Sequence, residues 1–319
     1  MRFVRMVNVE EPDCVEQAKR CELLVGRVFA SAPFRGHFRA HGAMERVIAM
    51  ADERGIPLIN PGRAHRFEID KRLAADTLRA AGISAPVIIA CGTPERLLGG
   101  GTGQAGRVHA GAPFCDGADD RGGEVGCDSR AVFDGHDEIE RMKAHSEDVL
   151  GEAVESWPYP CVIKPNCGGR TTHTAVLHDS AQARTFLETA PAMEFIVEPF
   201  VESRGGFLTR LELVDGKLAL AVKRSVAANG LSSYHEGSTY ELYPDCPGPV
   251  VDAVLSAGQL LGIEFGSFDV VESDQGDVII DANSVSNVSE DCTELFGGFD
   301  LMAAYAQAIV ARWHETALR

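Results

Sequence analysis

An α/β (α+β) protein is what this sequence predicts, on three observations. Strand-like and helix-like pieces alternate through residues 1–60. Asp215-Gly216 splits two strand-like runs, a strong hairpin signal. A second pair of apolar runs, FGSFDVV and VIIDANS, flanks a turn-forming stretch at residues 272–277. The chain of 319 residues is long enough for two domains or one large one. Its 45% hydrophobic and 24% charged content is ordinary for a globular protein. A net charge of −17 excludes the basic footprint of a nucleic-acid binder. A protein this negative handles polyphosphate only by gathering its Lys and Arg at one place and recruiting cations.

The N-terminus lacks the apolar core of a secretory signal, and no run of about 18 apolar residues predicts a membrane span. The nine cysteines are scattered, with no C-x-x-C pair, so free thiols in a cytoplasmic protein are the expectation.

Taken in order, RFVRMVNV reads as a strand, residues 12–19 as a polar helix and CELLVGRVFA as a second strand. Arg27, at the end of that apolar run, is either a cleft residue or a structural charge. Residues 40–54 form a helix with Met44, Val47 and Ile48 on one side. Gly55 stops it, and residues 56–60 form a short buried strand. Asp70 is the N-cap of a helix from Lys71 to Ala81, with Leu73, Thr77, Leu78 and Ala81 inward and Val87-Ile88-Ile89 the next strand. Lys71 sits where the helix dipole disfavours a cation unless an anion is near. Ten of residues 99–130 are Gly, and no core can be built there, so this reads as a long insert or lid loop. His109, Cys115, Cys127, His136 and His145 follow no standard zinc spacing. Residues 133–154 return to helical, acid-rich sequence.

The chemistry-bearing residues follow. Cys161-Val162-Ile163 is a buried strand with Lys164 at its end, Pro165 breaking the ladder and Gly168-Gly169 in the turn beyond. An ammonium and backbone N–H groups at such a turn suit phosphate oxygens. Residues 193–225 give strand, hinge and hairpin. Arg210 and Arg224 lie on its paired strands, where they reach one face or pair with Glu212 or Glu202. In the last hairpin Asp281 and Asn283 share a face, and an antiparallel partner strand brings Asp269 beside them. Two carboxylates and an amide oxygen are hard donors that suit Mg²⁺ held together with substrate phosphates. Solvated hairpin acids are the alternative. Residues 251–261 form a helix closed by Gly262, and a C-terminal helix runs over about residues 301–313.

The order of these motifs resembles the ATP-grasp superfamily of ligases over roughly residues 56–312. The motifs are the D-K helix opening followed by GISAP, YPCVIKP with its glycine-containing loop, IVEPFVE, the L-T-R and V-K-R strands, and FDVV with VIIDANS. The branch that looks most similar contains glutathione synthetase, D-alanine–D-alanine ligase and the RimK-type peptide-tail ligases. The resemblance implies an N-terminal α/β domain (1–66), a central subdomain (67–200) with the insert at about 98–132, and a C-terminal subdomain (201–319), the last two clamping ATP. It implies Lys71 and Lys164 on the ATP phosphates, and Gly168 and Gly169 in the loop over them. It places Glu198 with the backbone of Phe200 and Val201 at the adenine edge, and Glu202 at the ribose. Arg224 then faces the γ-phosphate or acyl phosphate, Arg210 lies beside the substrate, and Asp269, Asp281 and Asn283 hold two Mg²⁺, with Mn²⁺ a substitute. Family members usually have Glu at the position of Asp281, more glycines after Lys164, an acid where Phe207-Leu208-Thr209 stands, and Ser-Pro-Gly where this chain has SVSN; Arg170 or His173 then supplies loop contacts.

The implied activity is ATP-dependent carboxylate–amine ligation through an acyl phosphate. The substrates are an amino acid, a short peptide or a peptide tail, in an oligomer of this chain, with no nucleic-acid or membrane partner. A small-molecule kinase on the same scaffold, or a nucleotide-binding regulator, are the rival classes.

Overall fold

Short apolar runs pair into three sheets, which helices from the first third of the chain tie together. The computed structural model describes residues 5–99, 153–232, 237–286, 293–294 and 296–317. The glycine-rich insert beyond residue 99, its histidines and cysteines, and the helical reading of residues 133–152 lie outside them.

The first sheet is small. Helix α1 (Cys14–Ala18) precedes β1 (Leu24–Val25), and α2 (Ala40–Arg54) precedes β2 (Leu58–Ile59); the two strands pair in parallel. Helix α2 turns Ala43, Val47, Met50 and Ala51 onto Leu24 and Cys14, as its 3.6-residue spacing demands. Residues 5–9, the described part of RFVRMVNV, form no strand: Val7 and Val9 pack inward, and no strand among the described residues pairs with them. Helix α3 (Gly62–Ile69) runs into α4 (Lys71–Ala80), where Asp70 caps the first turn by accepting from the Leu73 N–H at 3.0 Å. Leu73, Thr77 and Leu78 are buried as expected, whereas Ala81, just past the helix end, is exposed.

The central sheet has strand order β3 (Ala90–Gly92), β6 (Phe195–Pro199), β4 (Cys161–Pro165), β5 (Ala175–Leu177), all antiparallel. Its first strand begins three residues later than the Val87-Ile88-Ile89 run suggests. Val87 points to solvent, and Ile89 joins the sheet through one bond to Val197. Pro165 keeps its place opposite Phe195 instead of ending the ladder. Helices α5 (Pro94–Leu97) and α6 (Ser180–Thr189) cover one side.

The third sheet runs β11 (Val278–Asn283), β10 (Gly266–Val271), β7 (Phe207–Val214), β8 (Lys217–Ser225), β9 (Tyr240–Leu242), again antiparallel. Asp215 and Gly216 both take positive φ, the type I′ geometry that the Asp-Gly pair predicts. Phe268, Leu211 and Ala282 face a core built with α7 (Gly248–Leu261), α3 and α4. The opposite face is polar. Register sets Asp281, Asp269 and Arg210 in one row across three strands, and Asn283, Ser267 and Glu212 in the next. A bulge between Asp269 and Val270 places Ile280 as the extra residue. This lets Ile279 turn to the core although Asp281, two residues on, faces the other way. The chain ends in α8 (Leu301–Ala317). No helix of the described residues is long and apolar enough to cross a membrane.

Helix α4 lies between the sheets: Leu73, Ala74 and Leu78 pack on the third, Ala75 on Ile196 of the central one. The small first sheet is locked in by two buried polar side chains. Asn60 donates to the carbonyls of Phe265 (2.5 Å) and Ser284 (2.6 Å), and its Oδ1 accepts from the N–H groups of Glu264 and Phe265. Glu68 accepts from the N–H groups of Ala30 (3.2 Å) and Ser284 (2.6 Å). Ser284 is thereby gripped at both its N–H and its carbonyl. Asn60 also has φ 54, which Asn tolerates better than most residues. Asn60→Gly keeps the backbone freedom yet strands four buried backbone groups, and is expected to lose about 2–4 kcal/mol in urea unfolding. A midpoint equal to that of the native protein would show that only the backbone angle matters there.

Candidate active site

Two lysines from different elements meet one carboxylate. Lys71, the first residue of α4, puts its Nζ 2.5 Å from Asp281 Oδ1. The anion that its place at a helix start calls for is supplied by the last strand of the chain. Lys164, on β4, donates to Glu198 Oε1 at 2.8 Å and to the carbonyl of Ile280 at 2.9 Å. That carbonyl belongs to the bulge residue, which the ladder leaves over. Asn166 fixes the start of α4 relative to the loop after β4. Its Oδ1 accepts from the Arg72 N–H, and its Nδ2 donates to Asp70 and Glu194.

Burial alone raises the pKa of the Asp281 carboxyl, but the ammonium groups of Lys71 and Lys164 outweigh it and hold it at about 2. Burial also works against the Lys71 charge, and Asp281 overcomes it, keeping the lysine protonated. Glu198 and Glu68 are pushed up by burial, opposed by Lys164 and Lys71 respectively.

Along the same polar row, Asp269 receives both arginines. Arg224 NH2 lies 2.8 Å from its Oδ2, and Arg210 NH1 lies 3.3 Å from its Oδ1. Arg210 also donates to Glu212 (2.7 Å) and to Ser286 Oγ (3.3 Å). Asn283 Nδ2 is 3.4 Å from Asp281 Oδ2. Two buried polar atoms on this face, Arg224 Nε and Ser267 Oγ, have no hydrogen-bond partner among the described residues, a pattern common where a ligand completes the set. Asp269, Asp281 and Asn283 are all oxygen donors. Among the described residues no three His, Cys, Asp or Glu side chains form a cage by themselves. Such a donor set fits Mg²⁺ that takes its remaining ligands from phosphate and water, not a metal enclosed by protein.

The other residues singled out from sequence are placed as follows. Gly168 sits against Phe34 and Pro165, where a Cβ would come within 2.8 Å of the Phe34 ring, so close packing by itself demands glycine there. Gly169 lies beside Ser31. His173 meets Phe34 edge-on and Arg170 is exposed. The Phe200 N–H is already bonded to the Pro160 carbonyl at 3.1 Å; Val201 is half-buried and Glu202 exposed. Glu202 pairs with neither arginine among the described residues, whereas Glu212 does. Arg27 donates to the Ser286 carbonyl at 3.2 Å. Sequence reading missed Asn60, Glu68, Asn166 and Ser286. Only Asn60 carried a signal, as an Asn between a buried strand and a proline. Cys167, in the loop after β4, is a free thiol pushed up to about 11 by burial, which leaves it protonated and a poor nucleophile.

Since its folded-state pKa is depressed, ionised Asp281 stabilises the protein above the ordinary value of about 4, and that contribution fades as pH falls toward 2. Lys71→Met is therefore expected to be less stable than the native protein near pH 7, with the difference narrowing below about pH 4. A difference that stays constant across urea titrations from neutral to acid pH would disprove the coupling.

No family model matches the chain. D-alanine–D-alanine ligase of Pediococcus pentosaceus is 29% identical over 157 residues, 46% of this chain and 44% of that one. The chain thus aligns with less than half the length of this curated relative. Among solved structures, D-alanine–D-alanine ligase from Bacillus anthracis superposes with a TM-score of 0.56 at 15% identity, covering 96% of this chain and 86% of that one. The RimK domain ATP-grasp protein from Sphaerobacter thermophilus gives 0.53 at 18% identity, over 92% and 81%. The chain has the ATP-grasp fold.

Proposed function

We propose that this protein is an ATP-dependent ligase that joins a carboxylate to an amine through an acyl phosphate. One observation carries the reading: Lys71 and Lys164 reach the Asp281 region from two separate elements, and the sheet register aligns Asp281, Asp269 and Arg210 beside them. Four fixed cations and a hard-oxygen donor set on one face are what a triphosphate requires, and the ligase names borne by the relatives agree with it.

Asp269, Asp281 and Asn283 would hold Mg²⁺, which supplies charge neutralisation across the β- and γ-phosphates. Lys71 and Lys164 are desolvated in advance, so moving from carboxylate to phosphate oxygens costs them little further dehydration. Glu198 orients Lys164 and lines the same gap as Ile196 and Ile280, where its carboxylate would offer a purine amino group an acceptor between apolar walls. That gap holds only about 20 Å³, so entry of a purine requires the central and third sheets to part.

The substrate carboxylate oxygen attacks the γ-phosphorus; the O–P bond forms, the bond to the β–γ bridging oxygen breaks, and ADP leaves. The amine nitrogen then attacks the acyl carbon. A C–N bond forms, the C–O bond to phosphate breaks, and phosphate departs with the electron pair while the amine gives up a proton to solvent. Arg224 and Arg210 balance the charge that passes between these groups, and Glu212, pushed up by burial but ion-paired, holds Arg210 in place. No cysteine takes part.

Asp281→Asn should lower magnesium-dependent ADP formation by about a hundredfold or more while unfolding stays cooperative. Undiminished turnover would remove Asp281 from the site. Mass analysis of the products decides the class of reaction: an amide with free phosphate supports a ligase. A phosphorylated acceptor would make the protein a kinase, and nucleotide binding without turnover would make it a regulator.

A further inference from the structure

A second cavity lies behind the metal-binding strand, between the ends of β1 and β2 and helix α8. It encloses about 280 Å³, near the lower end for small-ligand pockets. Its walls are apolar: Val25, Ile59, Phe265, Met302, Ala306 and Ile309. Val25 and Met302 form an exposed lip, 38% and 52% accessible, which is unusual for side chains of this kind unless something covers them.

Four polar residues break the apolar lining; Asn60 and Ser284 are already bonded to each other, and Arg27 and Tyr305 are the other two. Arg27 spends one N–H on the Ser286 carbonyl and lies 5.7 Å from the centre of the Phe29 ring, so among the described residues its charge meets a carbonyl and a ring, not a carboxylate. The Tyr305 hydroxyl is buried next to Ser286. Burial and the nearby Glu212 keep that phenol protonated, against Arg210 and Arg27. Ser284, the residue that follows the strand carrying Asp281 and Asn283, lines the cavity. A short relay leads from it to the candidate metal ligand Asp269: Arg27 to Ser286 at 3.2 Å, Ser286 to Arg210 at 3.3 Å, Arg210 to Asp269 at 3.3 Å.

We propose that this cavity selects the amine substrate: it takes the apolar side chain of an amino acid, or of a peptide's C-terminal residue, whose carboxylate is held by Arg27. The assignment to the amine partner rests on the ligase reading. In that chemistry the activated carboxylate is consumed beside Asp269 and Arg224, so for a substrate activated at its single carboxylate the one held by Arg27 belongs to the amine partner. A polar or acidic side chain has no ion partner within the apolar walls, and burying one unpaired is costly.

The test measures binding of leucine, phenylalanine, alanine, glutamate and leucinamide to the full chain by calorimetry, with magnesium and a non-hydrolysable ATP analogue titrated separately. Leucine should bind at least about tenfold more tightly than alanine, glutamate or leucinamide. Ala306→Phe, at an exposed position on α8 that tolerates bulk, should weaken leucine about tenfold and leave nucleotide affinity unchanged. Ile309→Ala should shift the preference toward phenylalanine, and Arg27→Leu should erase the difference between leucine and leucinamide. Equal binding of leucine and alanine, or indifference of leucine to both cavity variants, would overturn the assignment. The selectivity surviving in a protein that binds no magnesium-nucleotide would instead refute the ligase reading and leave the pocket standing. In active protein, mass spectrometry should find the apolar residue on the C-terminal side of the new amide bond.

Discussion

The contact on which the rest of this molecule depends is the ion pair between Lys71 and Asp281. It joins the N-terminus of α4 to the final strand, 210 positions later, with both side chains largely withdrawn from solvent. Around it every neighbour has a reason. Lys164 ties the bulge carbonyl to Glu198 and opposes the burial that pushes that carboxyl up, and Asn166 holds the helix start at the right depth. A buried pair of this kind adds little net stability by itself, but breaking it is expensive. Its worth lies in fixing where two lysines stand; under the proposed function that leaves little reorganisation when a triphosphate binds.

The sheet that bears these residues divides its labour by parity. Phe268, Leu211 and Ala282 serve the core, while Asp269, Arg210 and Asp281, one position away, serve the site. Strict alternation alone would have turned Ile279 toward the charges. The single extra residue at Ile280 resolves the conflict, giving the core its isoleucine and the site its aspartate, and its stray carbonyl becomes a ligand for Lys164.

Much of this could be read from the chain beforehand. The Asp215-Gly216 turn, the Asp70 cap, the Asp269–Asp281 pairing and the limits of α2 follow from local chemistry with steep energetic preferences. What escaped reading depended on distant partners. Asn60 and Glu68 are ordinary residues until residues 264–265 and 284 arrive from the far end of the sequence. The strand expected at residues 87–89 moved because Val87 found no neighbour, although its composition suits a strand. Gly168 is required by the Phe34 ring, a packing reason that no reading of the loop alone would supply.

The double grip on Ser284 makes the small first sheet more than an appendage. Because Asn60 and Glu68 hold the peptide groups on either side of that residue, the direction in which the chain leaves Asn283 is dictated by the opening third of the protein. A homologue that exchanged this module for another would have to bring its own pair of clamps or lose the aim of the strand that carries Asp281 and Asn283. Recombination at the end of α3 is therefore costly for such a protein, however exposed the junction.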